Sequence, residues 1–129
     1  MDFIKKQIDK HELKVAGIAY PAIFNYRAII EAEALTGMSH AHTLGKLESY
    51  DDEGVYQSGF NAGPISSGEV AALSFGMLIA GGVKVVYTDF IDSINVDETT
   101  NLIKQIKSII NHQRMPEEKN GQPTTKTTK

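Results

Sequence analysis

Short runs in which apolar and polar residues alternate lie on both sides of Gly17. Alternation with a period of two is typical of a β-strand with one buried face, and a glycine between two such runs marks a turn. Residues 12–26 therefore predict a small hairpin. Pro21 cannot donate a backbone hydrogen bond, which places the second strand at a sheet edge.

Two stretches after the hairpin are predicted to be helical. Residues 26–36 are rich in helix-forming residues, Asn25 is a suitable N-cap, and Gly37 suits the left-handed position that ends a helix. Residues 39–48 predict a second, short helix with its leucines turned inward. We expect the first of these helices to lie on the surface of the core, because its apolar stripe is narrow.

The clearest helix start in the chain is the capping box formed by Ser66 and Glu69, which predicts a helix over residues 67–80. Ile65 and Val70 occupy the two positions of a hydrophobic staple around this start. The helix is apolar on most of its circumference. Such a helix is either central in the core or covered by another chain.

Residues 83–94 contain a run of β-branched and aromatic residues, but their apolar positions fit helical spacing better than strand alternation. We therefore predict a helix there. Asn95 and Glu98 are spaced like another cap, and a clean apolar stripe follows over residues 96–112. The last residues, 114–129, have one apolar side chain and predict a disordered polar tail.

The stretch 49–64 is rich in glycine and predicts a loop. Its Tyr56 and Phe60 leave two alternatives open: the aromatic rings pack back onto the core, or they contact a partner. The whole pattern predicts a mainly α (α+β) fold. One globular domain over residues 1–113 consists of an N-terminal β-hairpin and a compact bundle of three to four helices.

Composition narrows the classes of protein. A chain of 129 residues fits one domain, and the absence of cysteine excludes disulfides, Cys-ligated metals and a thiol nucleophile. The N-terminus lacks the apolar core of a signal peptide, and the most apolar stretch, from Glu69 to Lys84, is shorter than the roughly 20 residues that span a bilayer. We therefore expect a cytoplasmic protein that does not enter a membrane.

Negative charge is concentrated in the middle of the chain. Residues 31–98 hold eleven acidic and two basic residues, although the whole chain carries a formal charge of −3. An acidic middle repels phosphate and disfavours nucleic-acid binding by the folded part. It is either a solvated face or a surface that selects a basic partner.

No motif in the chain indicates a reaction. His40 and His42, with the acids near residue 50, have the donor types of a metal site. Their spacing does not place these side chains together, so an ordinary role as polar loop residues is the better interpretation. No serine lies on a nucleophile elbow, and no glycine-rich loop has a phosphate-binding lysine. We predict a protein that is not an enzyme, without catalytic residues, metal or cofactor.

Two segments of the chain resemble a known family. GIAYPAIFNYRAIIEAEALTG, from Gly17 to Gly37, and AALSFGMLIAGGVK, from Ala71 to Lys84, are similar to the opening and the central apolar helix of the tail assembly chaperones of long, non-contractile-tailed (lambda-like) bacteriophages. The order of elements over residues 12–112 matches that family. The long segment 38–65 departs from its more compact members.

This resemblance implies a protein of the host cytoplasm that binds the tape measure protein, keeps it soluble and is absent from the mature virion. It also implies self-association into rings or spirals. A longer product of ribosomal frameshifting near the TTKTTK end would recruit tail tube subunits. We expect apolar and aromatic side chains to make the client or subunit contacts. The candidates are Phe75, Met77, Leu78, Ile79, Tyr56 and Phe60.

Two other hypotheses remain open at this point. The first is a small non-enzymatic adaptor or regulatory domain that binds one protein partner through the amphipathic helix 96–112. The second is a metal-dependent hydrolase that uses His40, His42 and the acids near residue 50, which predicts metal binding lost in His40→Ala.

Overall fold

A two-stranded hairpin and five α-helices make up the part of the chain that the structure describes. The computed structural model describes residues 10–58 and 63–120, and from residue 114 onward it describes the backbone alone. The predicted α+β class is confirmed. No helix in this described part of the chain is long and apolar enough to cross a bilayer.

The hairpin pairs β1 (His11–Val15) with β2 (Ile18–Ala22) in antiparallel register. Ala16 and Gly17 between them have φ angles of 53° and 81°. Positive φ at both central residues is the arrangement of a type I′ turn, which matches the twist of the strands it joins. The hairpin predicted from sequence is confirmed, and Pro21 lies on an edge strand.

The two helices predicted after the hairpin are both present, α1 (Tyr26–Thr36) and α2 (His40–Leu47). Asn25 caps α1 by accepting a hydrogen bond from the backbone N–H of Ala28, and Gly37 ends it with a φ of 73°. Both predicted caps are therefore confirmed.

The helix α3 (Ser67–Ala80) is the centre of the core. Its predicted capping box is present: Ser66 accepts from the backbone N–H of Glu69, and the Glu69 carboxylate accepts from the backbone N–H of Ser66. Every residue from Ala72 to Leu78 is buried. The helix packs most extensively against α1 and also contacts β2 and the last helix.

The chain between α3 and the next helix corrects one prediction. Residues 83–94 were expected to be helical, but α4 covers only Tyr87–Asp92. The cause is how α3 ends: Gly82 has a φ of 100°, its N–H donates to Ile79, and the N–H of Val83 donates to Leu78. This Schellman pattern uses Val83 to close the preceding helix, so a new helix cannot begin there.

The last helix is longer than predicted. A 3₁₀ turn at Val96–Glu98 leads into α5 (Thr99–Asn120), whereas the sequence predicts the helix to end at His112 and disorder from residue 114. Extending an existing helix adds one hydrogen bond for each residue that has a backbone N–H, and residues 117–119 are good helix formers. Pro116 has no N–H and adds no such bond, yet the helical backbone continues past it. The remaining predicted tail, 121–129, lies outside the described residues.

Two glutamine side chains of α5 hold the hairpin region in place. The Gln105 amide accepts from the N–H of Lys14 at 2.7 Å and donates to the Lys14 carbonyl at 3.1 Å. The Gln113 amide does the same with Phe24, at 2.8 and 2.9 Å. These paired bonds satisfy backbone groups that the two-stranded sheet leaves free.

The described part of the glycine-rich loop packs back on the bundle. Tyr50 is buried, its phenolic oxygen accepts from the N–H of Ile65 at 3.0 Å, and Lys107 donates to its carbonyl. Tyr56 packs edge-on against Tyr50 with ring centroids 5.4 Å apart. The first of the two alternatives for this loop is therefore confirmed for Tyr56, whereas Phe60 lies outside the described residues.

Candidate functional site

The apolar residues of α3 predicted to contact a partner are mostly inside the core. Phe75, Met77 and Leu78 are buried by the protein's own elements, and Leu78 is only 2% exposed. This corrects the expectation that they form a contact surface, because a helix apolar on most sides is here enclosed by α1, α5 and the hairpin. Of the α3 candidates, Ile79 remains half-buried at the surface.

A different surface has the properties expected of a docking site. An open groove of about 300 Å³ lies between the first half of α3, α4 and the start of α5. We call it the groove. Its lining is uncharged and mainly apolar. Its apolar lining includes Val70, Ala71, Tyr87, Ile91, Ile94 and Val96.

Aromatic packing fixes the floor of the groove. The ring of Phe75 lies 5.0 Å from that of Tyr87 and 5.8 Å from that of Phe90, measured between centroids. The contact between Phe75 and Tyr87 is edge-to-face, and aromatic pairs of this geometry stabilise a packed cluster beyond simple burial. Burial raises the pKa of the Tyr87 phenol above its usual value of 10.0, so the phenol stays neutral at physiological pH. The short helix α4 is thus held firmly although most of it is exposed.

The rim of the groove exposes large apolar side chains. Val96 is 87% exposed, the highest value among the large apolar side chains of the described residues, and Ile91 is 40% exposed. The cap formed by Asn95 and Glu98 fixes the turn that carries Val96. Val96 and Ile91 line the same groove, so they form one contiguous exposed apolar rim, and contiguous apolar surface of this kind is a feature of interaction sites.

Acidic residues flank these exposed side chains. Asp92 follows Ile91 in the chain, Asp97 follows Val96, and both are exposed. Neither forms an ion pair within the described ranges, 10–58 and 63–120. The groove therefore combines an apolar floor with an unneutralised acidic rim, which suits a partner whose apolar stripe is bordered by basic residues.

A second acidic group is built quite differently. Glu69 is 1% exposed and accepts from the Lys46 ammonium at 3.1 Å, from the Thr43 hydroxyl at 3.1 Å and from the Ser66 hydroxyl at 3.0 Å. Burial by itself raises the pKa of Glu69, but these bonds and the Ser66 N–H outweigh it and hold the pKa below its usual 4.5. The carboxylate is fully occupied in joining α2 to α3, so it is a structural anchor.

The histidines considered as metal ligands have other contacts. The Nδ1 atom of His40 lies 2.9 Å from the Glu33 carboxylate, and Nε2 of His42 lies 3.7 Å from that of Glu69. The hydrogen bond from His40 lowers the pKa of Glu33 below its usual 4.5. Within the residues that the structure describes, no group of three or more His, Asp or Glu side chains is placed to hold a metal ion.

The apolar stripe of α5, proposed above as an adaptor surface, is covered by the rest of the chain. Its five members are all buried: Leu102, Ile103, Ile106, Ile109 and Ile110. These five side chains are therefore not available to a partner in this fold. The groove at the start of α5 is an apolar surface that a partner can reach.

Sequence reasoning missed the groove for an identifiable reason. Val96 lies outside the stripe of α5, and Ile91 and Tyr87 were assigned to a longer helix with one buried face. The one signal available was Val96 itself, an apolar residue between the cap residue Asn95 and two acids. Comparison of the chain with protein-family profiles, with curated proteins and with solved structures finds no match in any of the three.

Proposed function

We propose that this protein is a tail assembly chaperone of a long-tailed bacteriophage, and that the groove binds helical segments of the tape measure protein. The observation that carries the binding mode is the groove itself, which exposes Ile91 and Val96 on a rigid frame beside Asp92 and Asp97. An amphipathic helix laid into an apolar groove is a common mode of peptide recognition.

The phage assignment depends on the resemblance of two segments, and their position in the fold supports it. The segment Gly17–Gly37 contains β2 and α1, and the segment Ala71–Lys84 contains most of α3. A Cβ atom on Gly76 would lie 2.4 Å from the carbonyl oxygen of Ala28, so α1 and α3 approach closely. The residues that carry the resemblance are thus the ones that build the central packed pair.

The charge of the protein fits a role in solubilising a client. A long client with repeated apolar stripes aggregates unless those stripes are covered by something soluble. The acidic middle of this chain keeps a coated client negatively charged. Weak contacts repeated along a linear client add through avidity, so each contact remains releasable when tube subunits arrive.

Co-expression with the tape measure protein of the same gene cluster tests the binding mode. We expect the wild-type chain to keep the tape measure protein in the soluble fraction and to co-elute with it. The variant with Ile91→Asp and Val96→Asp should lose both effects. The matched control carries Ile18→Asp and Val55→Asp, which add the same charge at exposed apolar residues outside the groove, and should behave as wild type.

The outcomes of this experiment test the proposed function and the proposed binding site separately. If no segment of the tape measure protein binds the wild-type chain, the proposed function is wrong. If binding survives in the groove variant with unchanged circular dichroism, the function stands and the groove is not the site. Intact mass tests the longer product to which the resemblance assigns the recruitment of tail tube subunits: expression from the native gene should yield a minor product that diverges near TTKTTK.

A further inference from the structure

A second apolar surface lies where α3 ends and α4 begins. It is an open hollow of about 710 Å³, which we call the hollow, and its apolar lining is Ile79, Val83, Val85 and Val86. Val86 is 61% exposed, and Ile79 is the contact candidate of α3 that the fold leaves at the surface. The described elements thus leave the apolar side chains of the hollow partly or largely exposed.

The described part of the chain begins at the edge of this hollow. The ammonium of Lys10 lies 3.9 Å from the Cβ position of Gly82, which is one of the lining residues. The backbone gives the same placement, because the Cβ position of Gly81 lies 2.9 Å from the Cα atom of Ala22, which pairs with His11 in the hairpin. Residues 1–9 are therefore joined to the fold beside the hollow.

The sequence of these nine residues, MDFIKKQID, suits an apolar hollow. Phe3, Ile4 and Ile8 are large and apolar. Phe3 precedes Lys10 by seven residues, and an extended chain of that length spans up to about 25 Å. The segment is therefore long enough for Phe3 and Ile4 to reach across the hollow.

The charges at the border of the hollow have counterparts in this segment. Lys84 and Asp89 are exposed there, and neither forms an ion pair with another described residue. Arg27, also at the border, is paired with Glu31 at 2.9 Å. The segment 1–9 carries two aspartates and two lysines, so it has a charge of the opposite sign for each free charge at the border.

We propose that residues 1–9 of the same chain fill the hollow, with Phe3 and Ile4 against the apolar side chains of Ile79 and Val86. A segment that is tethered beside its site binds in an intramolecular step, at an effective concentration on the order of millimolar for a short linker. A contact of modest area is therefore sufficient to hold it. The docked segment covers Val86 and closes the hollow to other occupants.

Docking at the hollow leaves the groove open. Asp89 lines the hollow, whereas Tyr87 and Ile91, two residues before and after it, line the groove. A helix turns about 100° per residue, so the two surfaces lie on opposite sides of α4. The N-terminal segment and an occupant of the groove can therefore be bound at the same time.

Disulfide trapping tests the contact directly, because the natural chain has no cysteine. A chain with Ile4→Cys and Val86→Cys should form a disulfide within one chain in a glutathione redox buffer, since cysteine replaces an apolar residue without adding charge. The control chain carries Ile4→Cys and Val96→Cys, at a more exposed valine beside the groove. We expect it to oxidise on the order of tenfold more slowly, because the docked segment holds its thiol close to Val86 alone. Mass spectrometry of the intact chains measures both rates.

Trypsin provides a second readout that leaves the segment unchanged. It cleaves after Lys5 and Lys6, and a docked segment is cut only while it is released. Val86→Asp should raise the initial cleavage rate on the order of tenfold, because burial of one valine side chain shifts such an equilibrium by at least that factor. Val86 is the N-cap of α4, a position that favours aspartate, so the variant should stay folded. The control Val55→Asp, at an exposed valine outside the hollow, should be cut as wild type.

Three results would overturn the docking of residues 1–9. Equal cleavage of wild type and Val86→Asp would mean that the segment is not held at the hollow. Disulfides that join two dilute chains would assign the hollow to a second copy, and equal or faster oxidation of the Val96 pair would place the segment elsewhere. Binding of the tape measure protein is measured separately with the groove variant, so the docking and the proposed function can fail independently.

Discussion

Two neighbouring apolar segments of this chain end in opposite environments. The helix α3 is apolar on most sides and is enclosed by the protein itself, whereas the segment from Val83 to Val96 leaves Val86, Ile91 and Val96 in water. In the sequence, both segments are rich in apolar residues. The difference teaches that apolar content predicts burial, while a candidate binding surface is found where apolar residues remain exposed on a rigid frame.

The largest expected effect contrasts one side chain from each segment. Leu78→Ala should lower the free energy of unfolding by about 2–5 kcal/mol, because it removes a buried side chain and leaves a cavity in the core. Val96→Ala should change it by less than about 0.5 kcal/mol, because that side chain is exposed. Urea denaturation followed by circular dichroism measures both.

If Leu78→Ala is as stable as wild type and loses only self-association, then Leu78 contacts a partner. In that case α3 is not enclosed by the protein itself, and the two segments do not differ as described. The same denaturation curves decide this, provided that the oligomeric state of each variant is measured at the same concentration.

The second prediction concerns the close approach of α1 and α3. Gly76→Ala should destabilise the fold by about 1–3 kcal/mol, because its Cβ would lie 2.4 Å from the Ala28 carbonyl oxygen and force the helices apart. Gly45→Ala is the matched control, since nothing lies within 4 Å of its Cβ position. Both glycines are inside helices, so each substitution gains up to about 1 kcal/mol of helix propensity.

Both variants gain similar helix propensity, so the extra destabilisation of Gly76→Ala over Gly45→Ala measures the cost of the steric clash between α1 and α3. Equal stabilities would mean that α1 and α3 are not packed as closely as described. That result would also remove the structural support for linking the two segments that resemble the chaperone family.

An effect of about the same size distinguishes the buried carboxylate of Glu69 from those at the rim of the groove. Glu69→Gln should cost about 1–3 kcal/mol at neutral pH, because Lys46 and Thr43 lose a charged acceptor in a buried site. Asp92→Asn, at an exposed residue, should cost less than about 0.5 kcal/mol. Thermal denaturation of both variants at neutral pH measures this difference.

The pH dependence of Glu69 has a defined sign. Its pKa in the folded state lies below the usual 4.5, so its ionised form stabilises the fold above pH 4.5. That stabilisation is lost as the pH falls below 4.5 and through the folded-state pKa. Glu33 contributes in the same direction through His40. The loss of stability on acidification should therefore be smaller in Glu69→Gln than in wild type, and equal slopes would contradict the anchor role.

Local signals in the sequence were sufficient for most of the elements. The cap at Asn25, the ending at Gly37 and the capping box of Ser66 and Glu69 were each predicted, because they depend on residues within one turn of the backbone. Where a prediction was wrong, at residues 83–86 and beyond His112, two local signals competed. At residues 83–86, the pair of glycines that ends α3 prevented the helix that the apolar spacing predicts. Beyond His112, the backbone of α5 continues as a helix although the composition there is polar.

The sequence by itself determined the hairpin, the caps and the general order of helices, because these depend on short-range backbone geometry and the period of apolar residues. Only the tertiary structure decided which apolar residues are enclosed. Burial depends on how several elements pack together: α1, α5 and the hairpin pack against α3, in which Leu78 is 2% exposed, whereas Val96 is 87% exposed. The groove and the anchor at Glu69 each join residues that are distant in sequence, so no periodic pattern within a single segment predicts either of them.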